Sequence, residues 1–241
     1  MVIKAIVDFI LYRFIQIWYK HAATGVFGEM AGKKSETAVT RRGRPRAYDA
    51  QAALKRATET FWRTGYSGTS LDRVSVATGM NPPSLYAAFG NKRALYLEAL
   101  AHYWEISLTA TREALAEDRP LPESLMLAYE AALSIYFSGK GSARGCFVIG
   151  TAVTEAAEDP EIRKSVAAGL RVIDADFEAR LRAARDRGEL KDDADPTALA
   201  ILASATMHSI AIRARAGTPR AELQEIARKA VSVICGPVRA D

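Results

Sequence analysis

The chain has 241 residues, of which 49% are hydrophobic and 25% charged, with a formal net charge of +5. This excludes disordered and fibrous classes and leaves room for two soluble domains of ordinary size. The charge is uneven: residues 33–95 hold twelve Lys/Arg against four Asp/Glu, so that stretch suits a polyanionic partner, whereas residues 96–241 are net acidic and face away from one.

Residues 2–19 are mostly apolar, but Lys4, Asp8 and Arg13 interrupt them, which makes a poor transmembrane span and a poor signal-peptide core. No stable membrane insertion is expected. Met30 is a plausible working start, with residues 1–29 upstream of it; the competing reading is an added amphipathic helix that docks on the protein or touches a membrane. Residues 32–40 read as a flexible linker. Arg41-Arg-Gly-Arg-Pro-Arg46 then forms a slim basic arm that resembles an AT-hook, with Arg41, Arg42, Arg44 and Arg46 suited to a narrow minor groove. The alternative is a solvated arm that holds phosphates without preference.

Residues 48–66 carry Leu54, Ala57, Thr58, Phe61 and Trp62 at helical spacing and stop at Gly65. Ser70 can cap a second helix with Leu71, Val74 and Ala77 on one face, and Gly79 suits the positive φ of a tight turn. Asn81 caps a third helix, whose first turn holds Pro82 and Pro83; the missing amide protons cost least there, because those donors have no intrahelical partner. Leu85 and Phe89 point inward, Ser84, Tyr86 and Ala87 lie nearer the exposed side, Gly90 ends the helix and Asn91 can cap the next. Two short helices joined by a tight turn are the outline of a helix-turn-helix DNA reader.

Phe61, Gly65-Tyr66, Thr69-Ser70, Gly79, Ser84-Leu85-Tyr86, Phe89-Gly90 and Lys92-Arg93-Ala94-Leu95, in this order, resemble the N-terminal domain of TetR-type transcriptional regulators. Ser75 departs from the alanine usual at that packed position and is expected to loosen the fit slightly. The resemblance implies phosphate contacts from Thr69, Tyr86 and Lys92, with Ser70 and Asn81 at the helix starts of the same surface. It places Pro82, Pro83, Ser84 and Ala87 where the recognition helix meets base edges. Prolines offer only rings and carbonyls, so apolar contact with thymine methyls is expected.

Helical patterning continues through residues 94–117, 120–137, 146–157, 160–188, 196–216 and 220–235, with no competing strand pattern. The last two helices resemble the pair that forms a four-helix dimer bundle in this family, which implies a homodimer through residues 196–235 whose heads stand about one duplex turn apart. Between heads and bundle, His102, Tyr103, Trp104, Leu108, Tyr129, Leu133, Tyr136, Phe137, Phe147, Phe177 and Met207 are candidates to line an apolar, aromatic effector pocket, though such residues are also ordinary core. The resemblance further implies a small molecule that shifts a two-state equilibrium of the heads.

Cys146 and Cys235 have no metal-ligand or disulfide-framework spacing, which suits a reducing cytoplasm. Cys146 follows Arg144-Gly145 at an expected helix start, where cation and dipole would favour a thiolate and so redox or electrophile sensing, but a buried inert thiol is the favoured reading. His21, His102 and His208 are scattered. Residues 139–145 fit neither the Rossmann nor the Walker glycine spacing and read as a flexible connection. No nucleophile, base and orienting group assemble into an enzyme, and no cofactor or metal is implied.

The expected architecture is all-α: a leader and linker (1–40), a three-helix helix-turn-helix DNA-binding domain with its arm (41–95), a helical-bundle ligand-binding and dimerisation domain (96–235) and a tail (236–241). The expected function is that of a cytoplasmic, homodimeric repressor that binds a palindromic double-stranded DNA operator and is relieved by an organic effector. The rival is an architectural protein that coats DNA through its basic head.

Overall fold

In the computed structural model, residues 49–236 are described, apart from 117 and 140; their regular structure is all helical, with no strand among them. The arginine arm and the leader, with their assigned roles, lie outside the described residues.

Side-chain caps set most of the helix starts. The first helix, α1 (Ala50–Thr64), is capped by Asp49, whose carboxylate accepts from the Gln51 and Ala52 amides. Ser70 caps α2 (Leu71–Thr78) and Asn81 caps α3 (Pro82–Phe89), each accepting from the amide three residues on. Gly79 ends α2 at φ 71°, a left-handed conformation that glycine adopts without a Cβ penalty. Asn91 caps α4 (Lys92–Ala114), which starts two residues earlier than its apolar pattern suggests.

α5 (Leu121–Tyr136) follows. Next comes a π-turn at Val148–Ala152, which runs into the short α6 (Val153–Glu155). Asp159 caps α7 (Pro160–Asp186) and Asp195 caps α8 (Pro196–Arg215); α9 is Arg220–Cys235. The regular helix expected over 146–157 is therefore replaced by a wider turn. There the Thr151 hydroxyl takes the Phe147 carbonyl at 2.7 Å, and the Val153 amide reaches five residues back to Val148.

α4 is the shared beam. It packs on α1 and α3 at one end and on α5 and α7 further along, while α5, α7, α8 and α9 complete the bundle. Head and bundle share one buried core.

Candidate nucleic-acid interface

α3 is anchored from one side and bare on the other. Leu85 and Phe89 are buried against the head, whereas Pro82, Pro83, Tyr86 and Ala87 are exposed and Ser84 is half-exposed. The Asn81 carboxamide oxygen accepts from the Ser84 amide at 2.9 Å, so the two prolines open the helix without leaving a donor stranded. The Ser75 hydroxyl donates to the Met80 carbonyl and clips the end of α2 to the turn. Arg73 and Val76, 85% exposed, are on the outward side of α2.

The head is fixed to the bundle through Trp62. Its indole N–H donates to the Gly145 carbonyl at 3.1 Å, its carbonyl accepts from the Arg215 guanidinium at 3.2 Å, and its ring meets Tyr103 and Phe147 edge-on. The Arg144 guanidinium lies 4.1 Å from the Trp62 ring centre and pairs with Glu59. Gly145 has φ 65°, and a Cβ there would lie 2.4 Å from the Ala211 carbonyl oxygen, so the chain is pressed onto α8 at this point. The stretch read as a flexible connection is thus pinned at residues 144 and 145. A second clamp joins α4 to α7: Arg93 binds Asp159 through two nitrogens and also reaches Glu161.

Behind the junction lies a cavity of about 10 Å3, room for one water, lined by Trp104, Ser107, Tyr136, Cys146, Met207 and His208 together with branched apolar side chains. Burial lowers the His208 pKa despite the opposing Asp174 charge, which favours the neutral imidazole. Cys146 and Ile149 also line a surface groove of about 400 Å3 that extends over Gly150, Ala211, Ile212 and Arg215.

Residues 53–99 match the family described as "Bacterial regulatory proteins, tetR family", and residues 124–230 match "Tetracyclin repressor-like, C-terminal domain". The HTH-type transcriptional repressor ComR of Escherichia coli (strain K12) is 30% identical over 198 residues, 82% of this chain and 94% of ComR. The chain belongs to the TetR family. The repressor BdcR of the same organism is 36% identical over 107 residues, 44% of this chain and 54% of its own length. A cysteine-substituted form of the TetR-family regulator CifR, solved in complex with 26-base-pair double-stranded operator DNA, superposes with a TM-score of 0.72 at 32% identity, covering 78% of this chain and 98% of that one. The protein is accordingly a helix-turn-helix DNA-binding transcriptional regulator.

Within this TetR-family frame the candidate DNA residues divide. Ser70, Asn81, Pro82, Pro83, Tyr86 and Ala87 are exposed together on α2 and α3, with Ser84 half-exposed beside them. Thr69 is a correction: it is 1% exposed, and its hydroxyl donates to the Gly65 carbonyl while meeting the Thr64 hydroxyl, so it braces the head from inside and offers no phosphate contact. Lys92 is half-buried, its ammonium 4.2 Å from the Tyr66 ring centre, so phosphate contact requires it to reach outward from that face.

The effector candidates scatter. Trp104, Tyr136 and Met207 line the cavity. Tyr103 and Phe147 belong to the junction under Trp62, and Tyr129 and Phe177 pack on each other deeper in the bundle, where the Tyr129 hydroxyl donates to the Ala203 carbonyl. His102 lies outside the cavity, 3.9 Å from Glu105 along its own helix. Cys146 stands at a helix start and is buried, in line with the favoured reading of an inert thiol: burial pushes its thiol pKa up, and the Tyr103 hydroxyl donates to Sγ at 3.1 Å. Desolvation outweighs the amide and hydroxyl bonds that would favour a thiolate. Glu59, Arg144 and Arg215, which build the junction, had no periodic signal to single them out; Arg144 drew notice only as a neighbour of Cys146.

Proposed function

We propose that the protein is a cytoplasmic homodimeric repressor that holds a palindromic operator with the α3 helix of each head and releases it when a small organic molecule enters the bundle. The observation that carries this reading is α3 itself, anchored by Leu85 and Phe89 while its N-terminal residues stand bare beside the basic head. On this reading residues 41–95 are the reading unit, residues 96–235 bind effector and dimerise, residues 1–40 are leader and linker, and residues 236–241 are a tail. Arg41, Arg42, Arg44 and Arg46 follow the adjacent minor groove, and Tyr86 and Lys92 hold phosphates.

Dimerisation is supported by α8, which is long and apolar enough by length and composition to cross a membrane. That apolarity has two faces: Ala203, Met207 and Ile210 are buried in the subunit, while Ile201, Leu202 and Ile212 are exposed, as is Val233 on α9. A second copy covers that second face. CifR supports the operator, being described in complex with its own.

Selection of binding sites from a random DNA library tests the reading. A palindrome with half-sites about 10 base pairs apart, protected as a sharp footprint, is the expected result. Retention of all sequences alike, with continuous protection, would instead mark a protein that coats DNA.

A further inference from the structure

The last residue of α6 reaches from the body to the head. The Glu155 carboxylate accepts from the Ser67 hydroxyl at 2.8 Å, and Ser67 stands in the link between α1 and α2. Beside Ser67 is Tyr66, whose ring centre lies 4.2 Å from the Lys92 ammonium. Burial raises the Tyr66 pKa and lowers that of Lys92; the Glu155 charge adds to the first shift and opposes the second, so its field covers both groups. We propose that Glu155 is a positioning residue for DNA binding: it holds the Lys92 ammonium on the Tyr66 side of the head, so that a phosphate must draw Lys92 away from a carboxylate of the body. This rests on the reading above in which Lys92 holds a phosphate, and adds what regulates that contact.

The other charges at this corner are already matched. Asp159 and Glu161 are taken by the Arg93 guanidinium, whereas Glu155 is hydrogen-bonded to a neutral hydroxyl and keeps its charge for the ammonium nearby. Attraction between a half-buried cation and a half-buried anion is screened less than on open surface, and it falls with separation. Glu155 also follows directly from the π-turn: Val148 and Ile149 of that turn line the small cavity, and Ile149 and Gly150 line the groove. A displacement of the turn therefore moves the carboxylate relative to Lys92 while α3 keeps its place. The body thereby acts on phosphate affinity through charge, separately from the spacing of the two heads.

The test titrates the full chain with random-sequence duplex DNA and with a site selected from the random library. Glu155→Gln removes the charge but keeps an oxygen that can accept from Ser67, so the seat of the head is preserved. Glu158→Gln removes the same charge from an exposed position three residues on and controls for general electrostatics. Glu155→Gln should tighten both DNAs alike by about threefold to tenfold over the two heads, and Glu158→Gln should change either by less than about twofold. In a Lys92→Ala background the Glu155→Gln gain should vanish, which a merely structural role of Glu155 would not produce. Unchanged or weaker binding of Glu155→Gln, an equal gain from Glu158→Gln, or a gain that persists without Lys92 would each overturn the proposal. Lys92→Ala by itself separates the two possible failures. If it leaves both affinities unchanged, Lys92 holds no phosphate and the underlying reading falls together with the proposal; if it weakens both while Glu155→Gln changes nothing, the proposal alone falls.

Discussion

Gly169 shows how one missing methyl group organises the interior. Its bare Cα lets the Trp104 ring lie against α7, and an added Cβ would be 2.2–2.5 Å from three ring atoms. Gly169→Ala should therefore cost about 1–3 kcal/mol by overpacking and lower the thermal midpoint, as read by helical circular dichroism. An unchanged midpoint would show that the ring can move aside freely. The position illustrates what a sequence hides: Gly169 sits inside a long helical pattern, and nothing local says which ring will approach it. Arg180 was partly visible, since it falls on the stripe of Ile173, Phe177 and Ala184. The structure buries it to 2% exposure, where its Nε donates to the Ser124 hydroxyl and its Nη2 to the Arg119 carbonyl and Glu189, partners that converge only after folding. Thr69 failed for the related reason that a motif position fixes the backbone, whereas hydroxyl direction depends on Gly65 and Thr64.

Among the elements, caps were the most readable feature, because an Asn, Asp or Ser before an apolar run binds amides two or three residues on, whatever the tertiary context. Ser70, Asn81 and Asn91 all do so. The π-turn was unreadable, since it depends on Thr151 bonding both the Phe147 carbonyl and the Tyr96 hydroxyl of a distant helix.

The Asp159 cap carries a further load. Hydrogen bonds from Arg93 hold its carboxyl at about 2, below the ordinary 3.8. A carboxylate with a depressed pKa stabilises the fold only while ionised. Its contribution is complete above about pH 4 and is lost as pH falls towards 2. The stability gap between the wild type and Asp159→Asn, followed by chemical denaturation, should shrink across that window; a gap constant from pH 5 to pH 2 would contradict the clamp. The α8 face gives a second prediction. Ile201→Lys with Ile212→Lys leaves the subunit interior untouched but places charge on the surface assigned to the second copy. Sedimentation should then report monomers of near-normal melting temperature, with operator affinity down about 100-fold or more from lost bivalency. A dimer of full strength would place the interface elsewhere.

At the scale of the whole molecule, the sequence yielded the division between a basic head and an acidic helical body, because charge and helical periodicity are properties of the chain itself. It did not yield the coupling between them. The Trp62 indole, the Gly145 carbonyl and Cys146 form a short path from α1 to the cavity wall, joining two segments far apart in the chain. A ligand that shifts the chain at 145–149 therefore acts directly on the seat of the head, and the allosteric claim reduces to two positions of that seat.

All of this presupposes that α3 reads bases while flanking groups hold the phosphates. Titrations of selected and random DNA at several salt concentrations test that most directly, comparing Lys92→Ala with variants that enlarge Ser84 or Ala87. Lys92→Ala should weaken both DNAs alike and reduce the log-log salt slope by about one unit per head, whereas the Ser84 and Ala87 variants should keep the slope and lose about 1–3 kcal/mol on the selected site only. If Lys92→Ala changed base preference while the α3 variants weakened every sequence equally, the assigned interface would be wrong.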